Sequence, residues 1–441
     1  MMKFFFMYVF MIYMLVFNKV LSFYYNMLFF GSFMMIVMYM FKDYLWGSIF
    51  VSLGVEFYSF WLIVLSVWIL SLMIMSLEKF DFKKMMVFMI LLSLLLLFFM
   101  SMDLFMFYLM FEVSLIPTFF LIIYWGGSPE RLSAAYYLMM YMLLISFPFL
   151  IYLFQLNLLS MSVKFSLLEF YMNNYDLSFW GYLFMFLAFY IKLPLYIYHV
   201  WLPKAHVEAP VYGSMILAGV LLKMGGYGLI RFLIVFTKMG LKFNYWILSL
   251  GVVGSFLISI LCLVQIDMKM LVAYSSVVHM NIFLCGLMTL FKLGMLSGYI
   301  VMVSHGLCSS GMFYMVNMYY LRSGSRLLML NKSSLSKLSS LAIWWFLFCV
   351  VNFSFPFSMG FISEIMVLMT MLSWSIMMMF YVMIICFFSS AYSLYLYSYI
   401  QHGSESCEQE KFSSGVVKEY MVMINHLYPM ILLLLNLLMF M

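Results

Sequence analysis

An all-α polytopic membrane protein of about fourteen transmembrane helices is the fold class this sequence predicts, on three observations. Of its 441 residues, 68% are hydrophobic and only 9% charged, whereas a soluble domain carries about a quarter charged residues. Apolar runs of about 20 residues, the length a bilayer crossing needs, follow one another almost end to end. The runs show no strict apolar/polar alternation, so helices rather than barrel strands must satisfy the backbone in lipid.

Read against charged residues and Gly/Pro breaks, the expected spans are 2–17, 20–41, 58–76, 85–101, 104–125, 134–155, 179–202 and 212–237. They continue as 245–265, 270–291, 293–321, 339–372, 373–400 and 420–440. The first run carries one Lys and no small-residue cleavage site, so it reads as a membrane helix rather than a signal or transit peptide. The twelfth run is too long for one simple helix and carries Pro356 and Gly360, so a break is expected there.

The seventh span breaks in a comparable way at Lys192-Leu193-Pro194, and each break sets a proline near an ionisable residue. Paired broken helices in two halves point to a transporter built from internal repeats. The expected organisation is residues 1–84 as helices 1–3, 85–237 as a five-helix repeat, 238–400 as its inverted copy, and 401–441 as a loop and last helix. Thirteen Lys and Arg fall in loops on one side of this topology and six on the other. The positive-inside rule then puts both termini on the outer side.

Met (51), Phe (50) and Tyr (34) are abundant, while Ala occurs nine times. AT-rich codons, with ATA also read as Met, would give this bias, which points to a mitochondrial genome. The Met side chains need no functional reading beyond flexible apolar filler. Six cysteines are scattered without a CxxC or a cluster spaced for an iron–sulfur centre. There is no GxGxxG or Walker A, and Gly225-Gly226-Tyr227-Gly228 suits close helix packing instead. No redox cofactor, nucleotide, metal or nucleic acid is expected on this chain.

Four charged residues stand out in the middle of apolar spans or at their breaks: Glu112, Lys192, Lys223 and Glu364. Each costs about 2.5–3.5 kcal/mol to insert, so such residues face a partner or a hydrated cavity. Burial disfavours a charged ammonium, and a carboxylate about 4 Å away returns about 4 kcal/mol at an effective dielectric of about 20. Making or breaking a Glu–Lys contact would therefore switch a lysine between holding and releasing a proton. The competing reading is a Glu112–Lys192 staple between two helices. His279 and His305 offer relay chemistry, or equally an interhelical hydrogen bond. His199 and His206 flank the turn after the seventh span, where capping and interface roles compete with proton access. Arg231 reads as a snorkelling side chain, and Asp103 and Glu56 as interfacial.

At these residues the sequence resembles the chain 4 family of mitochondrial NADH–ubiquinone oxidoreductase, respiratory complex I. The resemblance is densest from Lys192-Leu193-Pro194 through His199-Val200-Trp201-Leu202-Pro203-Lys204-Ala205-His206-Val207-Glu208-Ala209-Pro210 to Leu222-Lys223-Met224-Gly225-Gly226. Glu112 to Thr118, Ala273-Tyr274-Ser275-Ser276, His305-Gly306-Leu307-Cys308-Ser309-Ser310 and Ala391-Tyr392-Ser393 add to it. Residues 355–361 depart from the Pro-Pro-Thr-like stretch of the family, though Pro356 and Glu364 remain. The resemblance implies a multi-pass subunit of the mitochondrial inner membrane, related to cation/proton antiporters, with both termini on the intermembrane-space side. It implies that this subunit pumps protons while other chains of the complex carry NADH, FMN, iron–sulfur clusters and ubiquinone. Glu112 and Lys192 would be the ion pair, Lys223 the central relay, His279 and His305 the connecting axis, and Glu364 the exit-side acid. Partners would be membrane lipid and the neighbouring antiporter-like chains 2 and 5. A stand-alone sodium/proton antiporter, and a scaffold with inert ion pairs, are the competing readings.

Overall fold

The computed structural model describes residues 2–40, 47–48, 52–172, 178–403 and 413–440; Lys42, Cys407 and Lys411 lie outside them. Among the described residues the chain is helical apart from a short antiparallel pair, β1 (Gly47–Ser48) and β2 (Gly54–Val55). The helices begin with α1 (Met2–Met14), α2 (Leu21–Met40), α3 (Phe57–Ser76), α4 (Phe82–Met100), α5 (Leu104–Val113), α6 (Leu115–Trp125) and α7 (Arg131–Ser160). They continue with α8 (Phe165–Met172), α9 (Phe179–Lys192), α10 (Trp201–Glu208), α11 (Val211–Ile216), α12 (Leu222–Val235), α13 (Thr237–Val264) and α14 (Met268–Met288). The last are α15 (Lys292–Ser323), α16 (Ser334–Lys337), α17 (Ser339–Asn352), α18 (Met359–Trp374), α19 (Met378–Gln401) and α20 (Val417–Leu435).

Ten of these segments are long and apolar enough to cross a membrane. Four shorter apolar helices accompany them: Lys3–Met14, Phe179–Lys192, Ser339–Asn352 and Met359–Trp374. Set against about fourteen expected spans, ten among the described residues meet those criteria; proline cuts the seventh and twelfth runs, α1 has 13 residues, and α20 is not among the ten. The seventh run stops at Lys192, where Pro194 forbids helical dihedrals to Leu193. A turn follows, with Ile197 at φ 83°, a left-handed backbone that a β-branched residue adopts only at a cost of about 1–3 kcal/mol. Helix α10 then restarts with Pro203 in its first turn, where no helical N–H is lost. The twelfth run parts into α17 and α18 around Pro356, with Ser354 (φ 58°) and Phe357 (φ 76°) left-handed. Ser358 starts α18 as its N-cap, its hydroxyl accepting from the Phe361 N–H at 3.3 Å.

The chain divides into two compact units, one of residues Met1–Lys192 and Glu208–Phe243, the other of Leu193–Val207 and Asn244–Met441. Lipid tails are as apolar as leucine, so close packing and polar contacts, rather than the hydrophobic effect, must hold such helices together. In the first unit an aromatic core centres on Phe107, whose ring lies 4.6 Å from Phe98, 5.9 Å from Phe232 and 6.0 Å from Phe189. Such pairs contribute about 0.5–1.5 kcal/mol each beyond burial. Gly228 lets α12 reach α9: a Cβ there would fall 2.3 Å from a ring carbon of Phe189. In the second unit α15 is the axial helix, packed against α14, α17, α18 and α20. Gly311 plays the same part there, since its Cβ would meet the Phe348 ring of α17 at 2.3 Å.

Candidate functional site

In the first unit Glu112 lies next to the end of α5. Ser114 separates α5 from α6 because Pro117, three residues on, has no N–H for the carbonyl of Val113 and crowds it. The carboxylate is thereby set beside a one-residue break inside Leu104–Trp125, the single span that the sequence predicts. Among the described residues, neither carboxylate oxygen meets hydrogen-bond geometry with a donor; Tyr108, Ser146 and Lys192 stand around it within electrostatic reach. Lys192, 2% exposed, turns its ammonium to the backbone: Nζ donates to the Phe111 carbonyl at 2.9 Å and lies 3.1 Å from the centre of the Phe111 ring. The two charges are thus neighbours without a direct contact. The cation is held by a carbonyl and a π-face, which keeps it beside the acid and unbonded to it.

Lys223 is fully buried at the start of α12. A π-helical turn, Leu217–Leu221, joins α11 to α12, so this segment is not the uniform helix the sequence suggested. The widened turn presents the Ala218 carbonyl to the Lys223 side chain, and Nζ donates to it. Such π-turns inside α-helices occur frequently at functional sites. The residue after Lys223 touches the break after Glu112, with Met224 Sδ 3.6 Å from the Ser114 hydroxyl.

Arg231 does not snorkel. Its guanidinium bonds Glu56, lies over the Phe165 ring at 4.4 Å and reaches the Ser101 carbonyl at 3.3 Å. Glu56 also makes a capping box with Ser59 at the start of α3. Both side chains are mostly buried, so the sequence reading of two independent surface charges is replaced by one internal ion pair.

In the second unit three predicted residues converge from three helices. His279 on α14 places Nδ1 3.1 Å from Glu364 Oε1 on α18. The His305 ring of α15 lies 5.6 Å from the His279 ring. All three line a small cavity of about 20 Å³, room for about one water molecule, whose wall also carries Ser304, Asn352 and Ser363. A cavity of that size with several polar partners satisfies the conditions for holding water. On its other edge, His279 Nε2 lies 3.4 Å from the hydroxyl of Tyr392, a fully buried residue of α19 that sequence reasoning gave no role. Only one nitrogen of a neutral imidazole carries the proton, so an acid at Nδ1 and a hydroxyl at Nε2 together select the tautomer.

Of the two other histidines considered from sequence, His206 stacks on Phe313 at 4.6 Å and 8°. His199 stacks on Tyr196 at 5.6 Å and 12°. Among the described residues no group of three or more His, Cys, Asp or Glu is placed to hold a metal ion.

Two family models match the chain. Residues 101–391 match the membrane domain of NADH:quinone oxidoreductase and Mrp antiporters, and residues 1–102 match the amino terminus of NADH-ubiquinone oxidoreductase chain 4. NADH-ubiquinone oxidoreductase chain 4 of Ceratitis capitata is 46% identical over 417 residues, which cover 93% of each chain. The Locusta migratoria protein of that name is 42% identical over 440 residues, 98% of each chain. A chain of respiratory complex I from Thermus thermophilus shares the fold, with a TM-score of 0.87 at 20% identity over 96% of this chain and 92% of that one. A chain of the Mrp complex from Dietzia sp. follows at TM-score 0.76 and 15% identity, covering 88% and 76%. With this fold and these relatives, the chain belongs to the NADH-ubiquinone oxidoreductase chain 4 family.

Proposed function

We infer that the chain translocates protons across the membrane through its buried charges, as a non-redox subunit of a proton-translocating NADH:ubiquinone oxidoreductase. The observation that carries the reading is the His279–Glu364 contact beside His305, at the edge of a cavity inside the helix bundle. An acid and two imidazoles around a wettable cavity are what a proton needs in order to be held and passed on. In this reading Glu112 and Lys192 form the gate, Lys223 the relay, His279 and His305 the axis, and Glu364 the terminal acid.

The Glu112 carboxylate lies within reach of an ammonium parked on the Phe111 carbonyl. A swing of Lys192 from that carbonyl to the acid would exchange a neutral acceptor for a charged one, which favours the protonated lysine. NADH oxidation and quinone reduction belong to other chains of the complex, which also hold FMN, the iron–sulfur clusters and ubiquinone. The neighbours are the antiporter-like chains 2 and 5, in the mitochondrial inner membrane. The two half-length pairs at Lys192 and Pro356 are the broken helices of two inverted five-helix repeats, 85–237 and 238–400, in a fourteen-span topology with both termini in the intermembrane space.

Replacing Lys223 with Met in the assembled enzyme tests the reading. Pumping should be lost together with coupled NADH oxidation, whereas an unchanged proton-to-electron ratio in fully assembled enzyme would sink it. A stand-alone antiporter would instead leave mildly solubilised membranes outside any large NADH-oxidising assembly.

A further inference from the structure

The C-terminal helix carries a buried histidine that no part of the relay uses. His426 of α20 is fully buried, and its Nδ1 lies 2.8 Å from the Val422 carbonyl one turn earlier. A carbonyl accepts only, so Nδ1 bears the proton and Nε2 is a bare acceptor. That acceptor is buried and, among the described residues, has no hydrogen-bond partner. Buried polar groups are almost always satisfied, so a bare imidazole nitrogen here is an acceptor available to take a proton.

Its surroundings lead in two directions. Towards one end of the bundle, the Tyr314 ring of α15 stacks on His426 at 6.5 Å and 18°. Tyr314 lies within electrostatic reach of Glu419 and Arg322. Those two form an ion pair of 2.6 Å, and Arg322 Nε also donates to the Ser413 carbonyl at 2.9 Å in the exposed segment before α20. Towards the middle of the bundle, the Phe348 ring of α17 stands edge-on to His426 at 6.4 Å. One turn farther along α17 is Asn352, which lines the cavity of His279, His305 and Glu364 together with Cys308. One turn of helix, about 5.4 Å, separates Phe348 from Asn352 along α17. Along α15 the cavity residues Ser304 and Cys308 continue at helical spacing through Gly311 to Tyr314, Met318 and Arg322. This stripe runs from the cavity to the end of the helix.

We propose that Glu419, Tyr314 and His426 form a proton-access branch that connects the aqueous side at the Arg322 end of α15 with the His279–His305–Glu364 cavity. Glu419 collects the proton at the mouth, the Tyr314 hydroxyl passes it inward by giving up its own and taking another, and His426 Nε2 receives it. The imidazole returns to its starting state by releasing a proton from Nε2 to water leading to the cavity. Nδ1–H keeps its bond to Val422 throughout. The described rings set against His426 are Tyr314 of α15 and Phe348 of α17, with Arg322 and Glu419 beyond Tyr314. The branch rests on the proton-translocating reading above and adds to it the side from which this cavity is filled.

The test uses assembled enzyme in sealed vesicles, with NADH-driven proton uptake followed as the pH on the Arg322 side is raised. His426→Leu should slow pumping about tenfold, short of the 10²–10⁴-fold typical of an obligatory proton-transfer group, because water leaks past. Tyr314→Phe removes one hydroxyl and keeps the ring, and should slow pumping a few-fold. Both deficits should grow as protons become scarcer on that side. If His426→Leu does not assemble, Tyr314→Phe decides. Wild-type rate and pH profile in Tyr314→Phe and in any assembled His426→Leu enzyme, with Lys223→Met still inactive, would overturn the branch alone. A lower yield of enzyme with an unchanged profile per assembled molecule would assign these residues to packing and likewise overturn it. Normal pumping in Lys223→Met would remove the underlying reading and the branch with it.

Discussion

Apart from the Arg231–Glu56 pair of the first unit, the two units handle the buried charges of the proposed proton path in opposite ways. In the first, Lys192 and Lys223 each donate to a backbone carbonyl, of Phe111 and of Ala218, and among the described residues no donor meets hydrogen-bond geometry with the Glu112 carboxylate. In the second, the acid and the base touch: His279 and Glu364 stand 3.1 Å apart at the edge of a cavity. Lys192 on the Phe111 carbonyl has exchanged water for a neutral acceptor, which leaves its charge only partly compensated. A histidine against a carboxylate has a compensating charge and room for water. The first arrangement is poised to move, and the second to store a proton and pass it on.

The strongest way to break that contrast is to remove the acid of the second unit. Glu364→Gln keeps the shape and loses the charge opposite His279, and should cut pumping by about 10²-fold or more in vesicles with assembled enzyme. A small effect would demote the His279–Glu364 contact to packing. Next is Lys192→Arg, which keeps a cation at the Phe111 carbonyl but one that does not release its proton. If Lys192 must move and deprotonate, pumping should fall by at least about tenfold while assembly survives. Near-normal pumping would make the first unit's lysine a staple. Arg231→Ala probes stability alone: it strands Glu56 in the interior, at about 3–5 kcal/mol, and should show as loss of assembled enzyme on native gels. The smallest expected effect is that of Tyr392→Phe. The lost 3.4 Å contact with His279 Nε2 is worth about 0.5–1.5 kcal/mol, or roughly a two- to tenfold fall in pumping rate.

The helical class was legible because composition alone rules out a water-facing surface. The breaks at Pro194 and Pro356 were legible because proline removes a donor wherever it stands. Pro117 carries the same information for the one-residue break after Glu112, and the apolar run around it still forms one span of 22 residues. The π-turn left no mark, since Leu-Ala-Gly-Val-Leu is as good a sequence for an α-helix. The partners of buried charges were the least legible part. Glu56 and Arg231 are 175 residues apart and His279 and Glu364 are 85 apart, so only tertiary packing pairs them. Read singly, Arg231 looked like an end-of-helix snorkeller and Glu56 like a surface acid, each reasonable for a residue considered alone. His426 is silent in the sequence for the same reason: nothing near it along the chain announces that Tyr314 and Phe348 will close around it.

The wide turn at Leu217–Leu221 has one more effect, on direction rather than on bonding. An extra residue in a turn rotates everything after it by about 100° around the helix axis. Tyr227 meets Phe98 and Phe99, and Arg231 meets Glu56, on a heading set by that rotation. The same five residues that hold the Lys223 ammonium therefore also aim the rest of α12, so rewinding them would turn the arginine away from its acid as it let the lysine go.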